Sequence, residues 1–158
     1  MATSPANGRV VVIAVDASDN AMSAFKWYLD EVYKKDDFVV ICHIPELQTL
    51  PLISFKRVGL PVEEWQKMME EQIAKINELH DKYDFELISK KIPHKIKSEH
   101  NKSPGQGIIN VAESEKARLI IIGTRGLDLV RRTVLGSVSD YVVHHSKIPV
   151  LVCPKIEN

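Results

Sequence analysis

The chain has 158 residues, an apolar fraction of 44%, and 21 basic against 21 acidic side chains, so its formal charge is zero. That length suits one domain with a proper core, and the charge balance argues against nucleic acid or an anionic membrane as the main partner. No signal-like apolar segment follows a basic start, and no run approaches the roughly eighteen apolar residues of a membrane span, so a cytoplasmic protein is expected.

Residues 1–8 are small and polar and read as a disordered lead-in. Arg9 to Val15 is a continuous, β-branched apolar run, the pattern of a strand covered on both faces. Asp16 to Asn20 supplies turn chemistry, and Ala21, Phe25, Tyr28, Leu29 and Val32 then recur at helical spacing. After Lys34 to Asp37 a second strand is expected over Phe38 to Ile44, ended by Pro45. Residues 45–61, with three prolines and one glycine, read as an irregular loop over the strand ends.

From Val62 a long amphipathic helix is expected, with Trp65, Met68, Met69, Ile73, Ile76, Leu79, Tyr83 and Leu87 on its apolar stripe. Glu63, Glu64, Glu70 and Glu71 fall on its solvated side. Phe85 to Ile88 has strand-like composition, but the helical phase carries through it and the third strand is placed at about His94 to Asn101. Ser103-Pro104 is a cap and first helical position, followed by inward-facing Ile108, Ile109, Val111 and Ala112. A fourth strand is expected over Ala117 to Ile122, a helix from about Gly136 to Ser146, and a last strand over Pro149 to Cys153. Residues 155–158 form a tail. The alternation predicts one domain, residues 9–154, folded as an α/β/α sandwich around an open, five-stranded, mostly parallel sheet.

Cys42 and Cys153 lie inside apolar strand-like runs, which favours core packing over a disulfide or metal role. The six histidines show no helical i,i+4 ligand pair and no nearby cysteine framework, so no metal site of protein ligands is expected. In open parallel sheets ligands bind beyond the carboxyl ends of the strands. Ala14-Val15-Asp16, Cys42-His43-Ile44, the loop from Gly123 and the start of the last helix all arrive at that edge. Backbone N–H groups at a helix start, approached through glycines, suit phosphate.

The spacing Gly123-x2-Gly126-x9-Gly136-Ser137 resembles the signature of the ATP-binding branch of the universal stress protein family. The opening run to Asp16, Ile41-Cys42-His43-Ile44, Ser103-Pro104 and Ile148 to Val152 resemble that family in the same order. The resemblance implies a Rossmann-like fold of the adenine nucleotide alpha-hydrolase type, with ATP and Mg2+ as ligands. It sets Ala14, Val15 and Asp16 beside adenine and ribose, and Ile44 against the base. Ile122, Gly123, Arg125 and Gly126 match the ribose and phosphate loop; Gly136, Ser137, Val138 and Ser139 match the phosphate cradle at a helix start. It also implies a homodimer through the C-terminal strand and a role in stress response.

Asp16 has two readings, a turn or helix cap and a contact to ribose or magnesium-bound water. Arg125 either contacts phosphate or stays solvated, and so do Arg131 and Arg132. Three functions remain open: a nucleotide-dependent regulatory module, a slow ATP hydrolase, and a nucleotide-free dimerisation scaffold. No Gly-x4-Gly-Lys-Ser/Thr loop and no evident base for water activation is present, so any turnover is expected to be slow and no catalytic residue is assigned.

Overall fold

The computed structural model describes residues 8–45, 61–124 and 135–154. The expectations for the N-terminal lead-in, the loop after Pro45, Arg125, Gly126, Arg131, Arg132 and the C-terminal tail fall outside them. Within them the chain runs β1 (Val10–Val15), α1 (Asp19–Trp27) continued by a π-helical turn (Tyr28–Val32), β2 (Phe38–His43), α2 (Val62–Ser89) and β3 (His94–Ser98). It then continues through α3 (Pro104–Ser114), β4 (Leu119–Gly123), α4 (Ser137–His145) and β5 (Val150–Cys153). The strands form a parallel five-stranded sheet in the order β3-β2-β1-β4-β5, so the direction of winding reverses between β1 and β4.

Period-2 alternation assigns each central strand's side chains to two cores. Val10, Val12, Ala14, Val40, Cys42, Ile120 and Ile122 pack with Ile108, Val111, Ala112 and Val142 from α3 and α4. Val11, Ile13, Val15, Val39, Ile41 and Ile121 pack on the other face with Phe25, Tyr28, Tyr83 and Leu87 from the α1 and α2 side. All six residues of β1 are buried, which is why that run carries no polar alternation. Phe25 and Tyr83 meet edge to face, with ring centroids 5.0 Å apart.

The apolar stripe expected along α2 is buried over part of its length. Tyr83 and Leu87 are buried, whereas Met68 and Ile73 are exposed. Periodicity registers that a helix has an apolar side but not how far the sheet extends beneath it. Phe85 to Ile88 is helical; Leu87 enters the core while Phe85 and Ile88 face solvent. β3 stops at Ser98, short of the expected Asn101, whose Oδ1 instead accepts the Ser103 N–H at 2.9 Å. Ala117 precedes β4 rather than opening it, because its N–H bonds back to the Ala112 carbonyl at the end of α3.

α2 and α3 end alike. After α2, Lys91 adopts φ 55°, with Ile92 N–H bonded to the Leu87 carbonyl and Lys91 N–H to that of Ile88. After α3, Lys116 adopts φ 52° with the matching pair of bonds to Ala112 and Glu113. Both are paired-bond terminations with a left-handed residue, filled by lysine where glycine is usual.

One carboxylate fastens the amino edge of the sheet. Asp37, just before β2, accepts from Arg9 Nε at 2.8 Å, from the Tyr28 hydroxyl at 2.8 Å and from the Lys34 N–H at 3.0 Å, and its side chain is 1% exposed. Burial alone would raise its pKa, but the Arg9 guanidinium and the Lys34 and Tyr28 donors together hold it below the ordinary carboxylate value. The π turn, closed by Tyr33 N–H on the Tyr28 carbonyl at 2.8 Å, lies between Tyr28 and this carboxylate. At the β3 edge, Lys95 and Lys97 both pair with Glu115 at the end of α3. Charge on an outer strand discourages further strand pairing there.

Candidate functional site

A cavity of about 370 Å³ opens at the carboxyl edge of the sheet, where the strand order reverses. Register explains its floor: Ala14 sits opposite Cys42 on one side and Ile122 on the other, so three small or slim side chains form one row beneath it. Ten of the twelve residues assigned from sequence line this cavity: Ala14, Val15, Asp16, Ile44, Ile122, Gly123, Gly136, Ser137, Val138 and Ser139. The other two, Arg125 and Gly126, lie outside the described residues. That volume falls in the range of small-molecule sites, about 300–1,000 Å³.

Of the three helix starts that reach the cavity, those of α1 and α4 differ most in their cap residues. At α1 the cap is Ser18, whose Oγ accepts the Ala21 N–H at 3.2 Å and in turn donates to Asp16 Oδ1. Asp16 Oδ1 also accepts the Ser18 N–H at 2.8 Å, so this carboxylate organises the turn, and the capping group is Ser18. At α4 the cap position is Gly136, which has no side chain, and no side chain among the described residues caps the helix. Ser139 Oγ donates to the Gly136 carbonyl at 2.9 Å, leaving the backbone N–H groups of the first turn as the polar feature of that wall. A helix start of this kind favours an anion through its donors and its dipole.

Gly123 has a packing reason besides flexibility. A Cβ there would lie 2.7 Å from the Asn20 carbonyl oxygen, so only glycine lets the end of β4 pass the first turn of α1. The opposite wall is apolar, with Cys42, Ile44, Pro104 and Ile108. Cys42 and Cys153 are buried free thiols, pushed up by burial to about 12 and about 11, so neither is a ready nucleophile.

Ala17, Ser18, Asn20, Ala21, Cys42, His43, Pro104 and Ile108 also line the cavity and were not assigned from sequence. Cys42, Pro104 and Ile108 were legible in principle, since they fall on the inward face of elements already aimed at this edge. Ser18 and Asn20 depended on the turn geometry after β1. His43 lines the same edge and places Nδ1 3.1 Å from Nε2 of His80 on α2. Burial pushes both imidazoles below the ordinary histidine value, and for His43 the neighbouring His80 adds to it while Asp16 opposes it. Among the described residues, no group of three or more His, Cys, Asp or Glu is placed to hold a metal ion. No helix among them is long and apolar enough to cross a membrane.

Residues 8–154 match the Universal stress protein family. The chain belongs to that family. Universal stress protein MJ0531 of Methanocaldococcus jannaschii is 26% identical over 153 residues, covering 92% of this chain and 81% of the relative. Several other curated relatives are matched over less than two thirds of their length. The universal stress protein UspA from Lactobacillus plantarum superposes with a TM-score of 0.72 at 18% identity, over 94% of this chain and 99% of that one. A universal stress protein family protein from Arabidopsis thaliana, with AMP bound, gives 0.69 at 19% identity, over 94% and 92%. Structural likeness at these identities bears on the fold, which is the parallel α/β arrangement of this family's structures.

Proposed function

We propose that the chain binds an adenine nucleotide, ATP with Mg2+, in the cavity between β1 and β4 and acts as a nucleotide-dependent regulatory module in stress response. The observation that carries this reading is the pairing of an apolar slot at Ile44 and Ile108 with a helix start at Ser137, behind a glycine cap position, across one cavity of nucleotide size. The base would enter the slot, Asp16 and Ser18 would face the ribose, and the N–H groups of Ser137, Val138 and Ser139 would receive phosphate. Arg125 and Gly126 complete the phosphate side in this reading by their place in the glycine spacing. The AMP bound by the Arabidopsis relative supports it.

Asp16 is the one carboxylate lining the described part of the cavity, so magnesium would be held chiefly by phosphate oxygens and water, as that ion prefers. The bound ion would supply charge neutralisation for the phosphates. Slow hydrolysis remains the second reading, favoured by no positioned base among the described lining groups. A homodimer through β5, an outer strand of the sheet, and a cytoplasmic location belong to the same proposal.

The deciding measurement denatures freshly purified protein and separates released nucleotides by chromatography, with titration of the emptied protein beside it. Released ATP supports holding without rapid turnover, while ADP or AMP supports hydrolysis. No nucleotide and no titratable binding overturns both in favour of a scaffold.

A further inference from the structure

α3 carries two glycines in its first two turns, Gly105 and Gly107, although each costs a helix interior about 1 kcal/mol relative to alanine. Gly105 is accounted for by helix packing. A Cβ there would lie 2.6 Å from a ring carbon of Tyr141, whose hydroxyl donates to Gln106 at 2.8 Å and holds α4 against α3. Gly107 is different, because its near neighbours are not on α4. A Cβ at 107 would lie 2.9 Å from Ile44 Cδ1, 3.1 Å from Ile44 Cγ1 and 3.0 Å from Asn101 Cβ.

Ile44 follows β2 and is 8% exposed, with α3 behind it and the cavity beside it. Asn101 is held in place, since its Oδ1 accepts the Ser103 N–H at the start of α3. The terminal methyl of Ile44 is the free end of a side chain and yields at smaller cost than a hydrogen-bonded turn. Ile44 itself lines the cavity, so a shift of its side chain away from residue 107 changes the room there.

We infer that Gly107 is a positioning residue that sets the width of the base slot: its missing side chain lets Ile44 lean back on α3 and keeps room for a planar aromatic base. This inference rests on the nucleotide reading above and adds the element that decides what fits there. It assigns Gly107 no contact with the ligand. A methyl at 107 displaces chiefly Ile44, with Asn101 Cβ giving by a smaller amount, and the gain in helix propensity offsets the local crowding, so the fold is retained.

The test compares wild type, Gly107→Ala, Ile44→Val and the double variant by calorimetric titration with ATP and with inorganic tripolyphosphate, alongside thermal melting. Gly107→Ala should weaken ATP by about tenfold, the scale of one misplaced methyl group in an apolar pocket. It should leave tripolyphosphate binding and the melting temperature near wild type. Ile44→Val, which removes Cδ1, should restore ATP binding in the Gly107→Ala background. Unchanged ATP affinity in Gly107→Ala, equal weakening of both ligands, or failure of Ile44→Val to rescue would overturn the inference while leaving the nucleotide site standing. A wild-type protein that binds neither ligand would overturn the nucleotide reading and this inference with it.

Discussion

The starts of α1 and α4 meet the same cavity, yet one is capped by a serine side chain and the other has a glycine at its cap position. At α1, Ser18 satisfies the Ala21 N–H and is itself held by Asp16, so this helix start carries its own cap. At α4, Gly136 offers no side chain, and the first turn itself lines the cavity. Under the proposed nucleotide reading, the difference separates a structural terminus from a binding one within a single pocket. It also explains why Asp16, for all its position, does turn chemistry that a ligand would have to share.

Placing a charge at the open terminus gives the largest expected effect. Ser137→Asp should lower ATP affinity by about a hundredfold, since a carboxylate takes the donors and repels the phosphates. It should also raise stability by about 0.5 kcal/mol through the helix dipole. Calorimetry and melting read the two opposite signs, and a parallel fall in both would mean that α4 is not an anion-receiving start. Next comes Gly123→Ala, which forces a Cβ against the Asn20 carbonyl. A loss of about 2 kcal/mol in urea unfolding is expected, and an unchanged midpoint would remove the close-approach argument.

Ser18→Ala tests the closed terminus, with an expected loss of about 1 kcal/mol of stability. The effect on ATP should be smaller than that of Ser137→Asp; a reversed order would erase the distinction between the two starts. The smallest effect is set by pH. His43 and His80 both titrate in the folded protein below their ordinary value of 6.5, so the unfolded chain takes up protons first as pH falls. Their contribution is complete above that pH and is lost progressively below it. His80→Gln should flatten the dependence of the denaturation midpoint between about pH 7.5 and pH 5.5, and an unchanged slope would show that the pair does not couple to folding.

The two cores were largely legible, because β1, β2 and β4 are apolar runs and Ser103-Pro104 marks α3 without ambiguity. Of the glycine spacing, Gly123 and Gly136 both line the cavity at the carboxyl edge of the sheet. What stayed hidden depends on contacts between distant segments. Lys91 and Lys116 end their helices in a conformation normally signalled by glycine, so composition gave no stop. The exposed side of α2 at Met68 and Ile73 reflects how far the sheet reaches, which no local period encodes. Gly107 is silent until Ile44, far away in sequence, is seen resting on it.

The Asp37 cluster has a consequence for how this domain can change over time. Arg9, Tyr28, Lys34 and Asp37 tie β1, β2 and the π turn together at the amino edge, opposite the cavity. A buried carboxylate with four donor contacts, two of them from the Arg9 guanidinium, is expensive to disturb, since losing one partner leaves charge stranded in a low-dielectric interior. Substitutions at the carboxyl edge touch none of those contacts. The molecule is bolted at one rim and hollowed at the other, so side chains around the cavity can change without reopening that joint.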